Sequence, residues 1–250
     1  MTPLDKLCQI PFHQADDSAR TRILSRLADT ELFVALVREP ADDLIELQGF
    51  DLPEGRFALA CDREDRLAGF LGTAVAHVAM PGRVLARTLA QAGQGLLVNP
   101  GQPSELMLDA DVLAWLVKAL EARPGMAPAE QARRLTAPSP EAVAILAEPL
   151  AQRLGDMAGL VTLAMLVAAE WQDGRHGHAL ILRGVEPEHE ARLAKAMAEL
   201  LAFLPEIPGG VDIGFSAIEG PNGALLLEPP PPAPEPEPVR RDPSAPPRLR

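Results

Sequence analysis

The sequence predicts an α+β protein built as two small domains, each layering helices on a mixed or antiparallel sheet. Three observations carry this expectation. Short apolar, strand-like runs alternate with helix-period segments along most of the chain. A Pro- and Ala-rich break over residues 123–140 divides the alternation in two. The 250 residues suit one large or two small domains, which at this size need neither metal nor disulfide for stability. Apolar residues make up 47% of the chain, yet aromatics only 4% with no Tyr, so the core must be made of Leu, Ala and Val.

Asp16, Asp17 and Ser18 offer N-caps for a helix ending near Ala28 with Ile23, Leu24 and Leu27 on one face. Glu31–Val37 reads as a strand closed by Pro40. Leu44–Phe50 and Gly55–Cys61 read as the next strands, separated by turn material from Asp51 to Gly55. Asp62 is positioned to cap a short helix through Phe70. A strand around Thr73–Ala79, a Pro81-Gly82 turn and an amphipathic helix carrying Val84, Leu85 and Leu89 follow. Gly93 and Gly95 end that helix, and Leu96–Val98 forms a strand running into Asn99-Pro100-Gly101. In that turn Pro100 fixes φ at the corner, Gly101 supplies a positive φ, and Asn99 is expected to be extended because it precedes proline. Asp109 then caps a helix over Ala110–Glu121 with Val112, Leu113, Leu116 and Leu120 inward.

Residues 123–140 are expected to be a linker with some helix at Ala129–Leu135. Beyond it, Val143–Glu148 reads as a strand stopped by Pro149, and Leu150–Asp156 as a short helix. Leu160–Trp171 and His178–Val185 form a hairpin around residues 172–175. Glu186-Pro187-Glu188 opens a helix to about Leu204. Val211–Ile218 and Ala224–Glu228 read as a second hairpin, completing the order β-α-β-β-α-β-β. The segment 229–250 is proline-rich, cannot build a core, and is expected to be a disordered tail, either solvated or read by a proline-binding groove.

A net charge of −12 disfavours nucleic acid and anionic membrane as partners and leaves a basic or neutral protein or a small molecule. Cys8 and Cys61 are too few for a secreted disulfide scaffold, and the first residues lack a signal-peptide pattern. The longest apolar run, Leu160–Ala169, is half a bilayer span, so a soluble cytoplasmic protein is expected.

Cys61 is the candidate nucleophile: it ends a strand, precedes a helix start and has Arg63 and Arg66 within a turn. Asp62, Glu64 and Asp65 oppose thiolate formation there, and a small buried cysteine explains the residue equally. His176 and His178, two apart on one face of a strand with Asp173 nearby, are the candidate metal ligands; a polar turn around Gly177 explains them as well. His13 with Asp16 and Asp17, His77 within an apolar strand, and His189 in a first helical turn read as structural or solvated. Glu105, Asp109 and Asp111 cluster at a helix start, where capping accounts for them. Gly93-Gln94-Gly95 runs from helix to strand, the reverse of a dinucleotide loop, and Gly214–Ile218 lacks the closing glycine of a nucleophile elbow. No cofactor is expected.

The run Leu97-Val98-Asn99-Pro100-Gly101 before a short strand and a helix, with the order of elements over 4–120, resembles the N-terminal domain of the SseB family (enhanced serine sensitivity proteins). Ala147-Glu148-Pro149 with Gln152, Gly184-Val185-Glu186, and Pro208 before Val211-Asp212-Ile213 are similar to that family's C-terminal domain. Cys61-Asp62 departs from the Thr or Ser expected before the short helix, and the proline-rich tail replaces an aromatic and basic ending.

The resemblance implies domains at 1–122 and 141–228 and no transferable catalytic residue. It favours a non-enzymatic cytoplasmic module binding a protein or small ligand and touching serine sensitivity or amino-acid metabolism. Asn99, Pro100, Gly101 and Asp109 are the candidate binding residues, on a rigid strand-to-helix scaffold. A thiol enzyme of sulfurtransferase type using Cys61, and a scaffold recruiting through its tail, are the rival readings.

Overall fold

The computed structural model describes residues 1–39, 45–125 and 132–231. It contains two mixed sheets, each with helices against it, and the fold is α+β.

The first half runs α1 (Pro3–Leu7), a 3-10 turn at Phe12–Gln14, α2 (Asp17–Asp29), β1 (Glu31–Ala35), β2 (Gly49–Leu52), β3 (Gly55–Cys61), α3 (Glu64–Leu71), β4 (His77–Pro81), α4 (Gly82–Gln91), β5 (Gly95–Val98), β6 (Leu106–Leu108) and α5 (Ala110–Leu120). Its sheet has the order β4-β1-β3-β5-β6, with β2 continuing the edge of β3 that β1 occupies. Only β3 and β5 are parallel, a pairing that requires the crossover through α3, β4 and α4.

Strand alternation splits the side chains between two faces. Leu32, Val34, Ala58, Ala60, Leu96 and Val98 meet α1, α2, α4 and α5 in the larger core. Ala35, Leu59 and Cys61 meet Leu67 of α3 on the opposite face. Helix α2 keeps its expected cap, the Asp16 carboxylate accepting the Ala19 N–H at 2.7 Å, and buries Ile23, Leu24 and Leu27. Asp109 caps α5 through the Val112 N–H at 2.8 Å.

Several local expectations are corrected. The strand β2 runs through Asp51 and Leu52, so the turn shrinks to Pro53-Glu54. Asp62 does not cap α3; Arg63 occupies that position and the Asp62 carboxylate binds Arg66. Pro81 closes β4 and Gly82 opens α4, because the chain passes so close to α2 that a Cβ on Gly82 would lie 2.0 Å from the Leu27 carbonyl oxygen. Asn99 is not extended: its φ is +48°, and it is the single non-glycine with positive φ among the described residues. Pro40 and Leu44 lie outside the described residues.

The second half runs β7 (Ala132–Thr136), α6 (Pro140–Gly155), β8 (Leu163–Trp171), β9 (His176–Arg183), α7 (Pro187–Ala202), β10 (Val211–Phe215) and β11 (Leu225–Leu227). The order of strands and helices is the one expected, with different segments filling it. Of the helix expected at Ala129–Leu135 within the linker, residues 129–131 lie outside the described residues, and Ala132–Thr136 form a strand paired with β8. The expected strand at Val143–Glu148 and helix at 150–156 are one helix, α6, that continues through Pro149. Ser139 caps it and Pro140 takes the first turn, while Ala142, Leu146, Leu150 and Leu154 recur at helical spacing and are buried. That burial offsets the roughly 3 kcal/mol an internal proline costs.

The β8–β9 hairpin forms as expected. The second hairpin does not: β10 pairs parallel with β9 after the α7 crossover, and β11 pairs with β8 on the far edge. Gly177 allows this, since a Cβ there would sit 2.4 Å from the Gly209 carbonyl oxygen. Helices α6 and α7 cover one face of the sheet. The expected tail begins with described residues 229–231; residues 232–250 lie outside the description.

The halves touch through helices. Phe203, just beyond α7, enters the first core and meets Trp115 edge-on at 5.7 Å. Lys195 donates to the Leu120 and Ala122 carbonyls at the end of α5, both at 2.6 Å. Arg83 bridges Asp29 and buried Glu199, Arg153 also binds Asp29, and Arg26 pairs with Asp156 at 3.2 Å. Burial pushes the Asp29 carboxyl up, but Arg153 and Arg83 outweigh it and its pKa falls below the usual carboxylate range. No described helix is long and apolar enough to cross a membrane.

Candidate functional site

The Asn99-Pro100-Gly101 turn sits over a buried polar network rather than opening to solvent. Val98 pairs with Ala60, so the next residue, Asn99, lies beside the end of β3. There its N–H donates to the Ala60 carbonyl at 3.0 Å. The left-handed backbone turns its fully buried side chain inward, where Oδ1 accepts the Asp62 N–H and Nδ2 donates to Ser104 Oγ, each at 2.9 Å. Ser104 donates onward to Asp5 at 2.6 Å. Arg66 reaches both Asp5 and Asp62, at 2.6 and 3.0 Å. Asp5 also closes a capping box with Thr2 at the start of α1. The Arg66 guanidinium, with the Ser104 hydroxyl and Thr2 N–H, holds the Asp5 carboxyl well below the usual carboxylate range.

This network ties α1, β3, α3 and the turn after β5 together. Asn99 is fully buried and Pro100 is buried, so the turn presents Gly101 and its neighbours. The Glu105 carboxylate accepts the Gly101 N–H at 2.6 Å. A shallow pocket of about 520 Å³ lies alongside, lined by Arg63, Asp65, Arg66, Pro100 and Gln102.

Cys61 is on β3, 1% exposed among Ala35, Leu59 and Leu67. Burial pushes its thiol up to about 11, against a smaller opposing effect of the Asn99 N–H. Its neighbours are otherwise engaged: Arg66 with Asp5 and Asp62, and Arg63 with Asp65 at 2.7 Å. Cys8, also buried, is pushed up to about 11 by burial and by Asp5.

His176 and His178 share a strand face, but the first is exposed and the second buried. His178 Nε2 lies 3.3 Å from the Ser139 hydroxyl, and burial lowers its pKa. Asp173 accepts the Arg175 N–H at 3.0 Å within its own turn. No cluster of three or more metal-ligating side chains occurs among the described residues. His77 stacks edge-on against Phe33 at 5.6 Å, and Ser216 accepts the Ile218 N–H at 3.3 Å.

Asp109 lies at a different place from the turn. With Asp111 it borders a groove of about 630 Å³ between α2, β6 and α5. Met107 and Trp115, 43% and 42% exposed, form its apolar wall, with Phe12 and Leu24 beside them. Asp17, on α2, adds a third carboxylate across the groove. Arg20, the one arginine lining it, is held by the Phe12 and His13 carbonyls at 3.1 and 2.9 Å and pairs with the exposed Asp17 at 3.7 Å.

The sequence reading reached Asp109 but missed Trp115 and Met107. The available signal was positional: Trp115 falls off the Leu113–Leu116 inward stripe, where a large aromatic has no core to enter. The Asp5–Arg66–Ser104 network had no such signal, since its members lie up to 99 residues apart.

Comparison with known proteins places the N-terminal half. Residues 11–115 match the family model of the SseB protein N-terminal domain, so the chain carries that domain. No curated protein and no solved structure matches the chain.

Proposed function

From the SseB N-terminal domain as premise, we propose that the chain is a non-catalytic cytoplasmic binding module, and that its binding face is the α2–β6–α5 groove. The partner is an extended protein segment with apolar or proline residues and a basic flank. The observation that carries this reading is the pairing of exposed Trp115 and Met107 with Asp17, Asp109 and Asp111 around one groove. Aromatic side chains with a polar edge recur where extended segments dock, because they bury large area at low entropic cost. The carboxylates select a basic segment and repel an acidic one.

The second half, on its resemblance to the family's C-terminal domain, is a scaffold that holds α5 through Phe203 and Lys195. A link to serine sensitivity or amino-acid metabolism would then run through the bound partner rather than through chemistry on this chain. The inaccessible Cys61 thiol gives the sulfurtransferase reading no support.

A photo-cross-linking residue at Met107, in chain expressed at native level, tests the proposal. The expected result is a discrete adduct mapping to a basic segment and lost on Trp115→Ala. The same probe at Val84, 47% exposed on α4, is the control. Equal adducts at both positions, or none at Met107, would refute the groove as the binding face.

A further inference from the structure

We infer that the occupant of the Trp115 groove is the chain's own C-terminal segment, Val239–Arg250, docked in cis and displaced by an external partner. The inference rests on the groove reading above and adds its regulation.

Three observations converge. The first is chemistry. The segment VRRDPSAPPRLR carries Arg240 and Arg241 before Pro243, and Arg248 directly after Pro246-Pro247. Proline-rich segments are pre-extended, so they dock on aromatic walls with little ordering entropy, and flanking arginines pair with carboxylates beside the aromatic. Trp115 with Asp109 and Asp111 supplies that arrangement.

The second is charge order. Along the tail, Glu235 and Glu237 come first and the arginines follow. Along α2, read from the tail's point of departure, Arg26 and Arg22 come first and Asp17 follows. Lys6, Arg22, Arg26 and Arg153 line a cleft of about 550 Å³ between α2 and α6, together with Asp29, Glu148 and Asp156. Arg26 is paired to Asp156 and Arg153 to Asp29, which leaves Lys6 and Arg22 facing the tail's path. The acidic stretch of the tail therefore passes Lys6 and Arg22, and the basic stretch reaches a groove in which carboxylates outnumber the one arginine.

The third is reach. Pro230 packs against Gly155 at the end of α6, where a Cβ would lie 4.0 Å from its Cγ. The neighbouring Asp156 pairs with Arg26. From Arg26 to the groove residue Arg20, α2 advances about 9 Å at 1.5 Å per residue. In extended polyproline geometry, Pro231 to Pro243 spans about 37 Å at 3.1 Å per residue. The arginines can therefore arrive at the groove from the chain's own exit point, with the effective concentration of a tethered ligand.

The test uses the full chain with Ser244→Cys carrying a nitroxide. Cys8 and Cys61 are buried with thiols pushed up to about 11, so the introduced thiol labels selectively. The two tryptophans give two indole N–H signals. Docking in cis is expected to broaden the Trp115 signal to loss, spare that of buried Trp171, and be relieved when Arg240, Arg241 and Arg248 are all changed to Glu. Equal attenuation of both signals would overturn the inference. So would broadening that appears only on unlabelled isotope-enriched chain mixed with labelled chain, which would assign the tail to a second copy.

A synthetic peptide of residues 239–250, added in trans to the triple-Glu chain, separates the two failures. If the tethered label has no effect but the peptide shifts Trp115, the groove binds basic segments and the tail is not its occupant. If the peptide also leaves Trp115 unmoved, the groove reading falls with the inference.

Discussion

Asn99→Ala would remove the keystone of the buried network while leaving the groove untouched. The Asp62 N–H loses the 2.9 Å acceptor it has in Asn99 Oδ1, and a buried donor left without a partner costs about 1–3 kcal/mol. Ser104 loses one bond but keeps Asp5, which limits that loss to about 1 kcal/mol. Alanine must also adopt φ near +48°, where a Cβ-bearing residue without a polar side chain is disfavoured by about 1–2 kcal/mol. The expected destabilisation is about 3–6 kcal/mol. Asn99→Gly loses the same hydrogen bonds without the backbone penalty, though its freer unfolded chain returns about 0.4–1 kcal/mol. Glycine should therefore be more stable than alanine by about 0.5–1 kcal/mol. Urea unfolding followed by far-ultraviolet circular dichroism reads both differences. An alanine variant as stable as the glycine variant would refute the conformational argument. A loss below about 1 kcal/mol in both would refute the buried hydrogen bonds.

Three further outcomes are expected. Asp5 has a depressed pKa when folded, so its stabilisation is complete above its unfolded value of about 3.9 and is lost as pH falls through the folded value. Asp5→Asn should flatten the acid limb of the stability profile, and an unchanged limb would contradict the Arg66 pairing. Both thiols should resist iodoacetamide at neutral pH in the native protein and react on unfolding, and rapid native labelling of Cys61 would return it to the list of nucleophiles. Gly82→Ala should destabilise by roughly 1–3 kcal/mol through overpacking against α2, measured by the same urea titration; a neutral effect would mean the two helices separate freely.

Much of the local structure was legible because it is written in contiguous residues. Asp16 and Asp109 cap the helices they were expected to cap; α2 buries Ile23, Leu24 and Leu27 as its spacing selects, while α5 buries Leu113 and Leu116 and half-buries Val112 and Leu120. The β8–β9 hairpin followed from two strand-like runs around a polar turn. Where the reading failed, a local signal was weaker than burial. Pro149 looked like a stop, yet α6 passes through it because four apolar residues on one face are buried. The Ser139-Pro140 start was present and is the same kind of signal that located α7.

By itself the sequence determined the α+β class, the acidic character, the caps of α2 and α5, and the N-terminal part of the resemblance, which the match over residues 11–115 bears out. Beyond the β8–β9 hairpin, only the tertiary structure decided which strands pair. It alone made β10 parallel to β9, turned Asn99 inward and sealed Cys61 beneath α3. It also put Asp17, Asp109 and Trp115 around one groove. The physical reason is range. Caps and periodicity act within a turn or two of chain, whereas strand order, burial of a thiol and the meeting of distant carboxylates depend on which faces are covered when the whole chain closes.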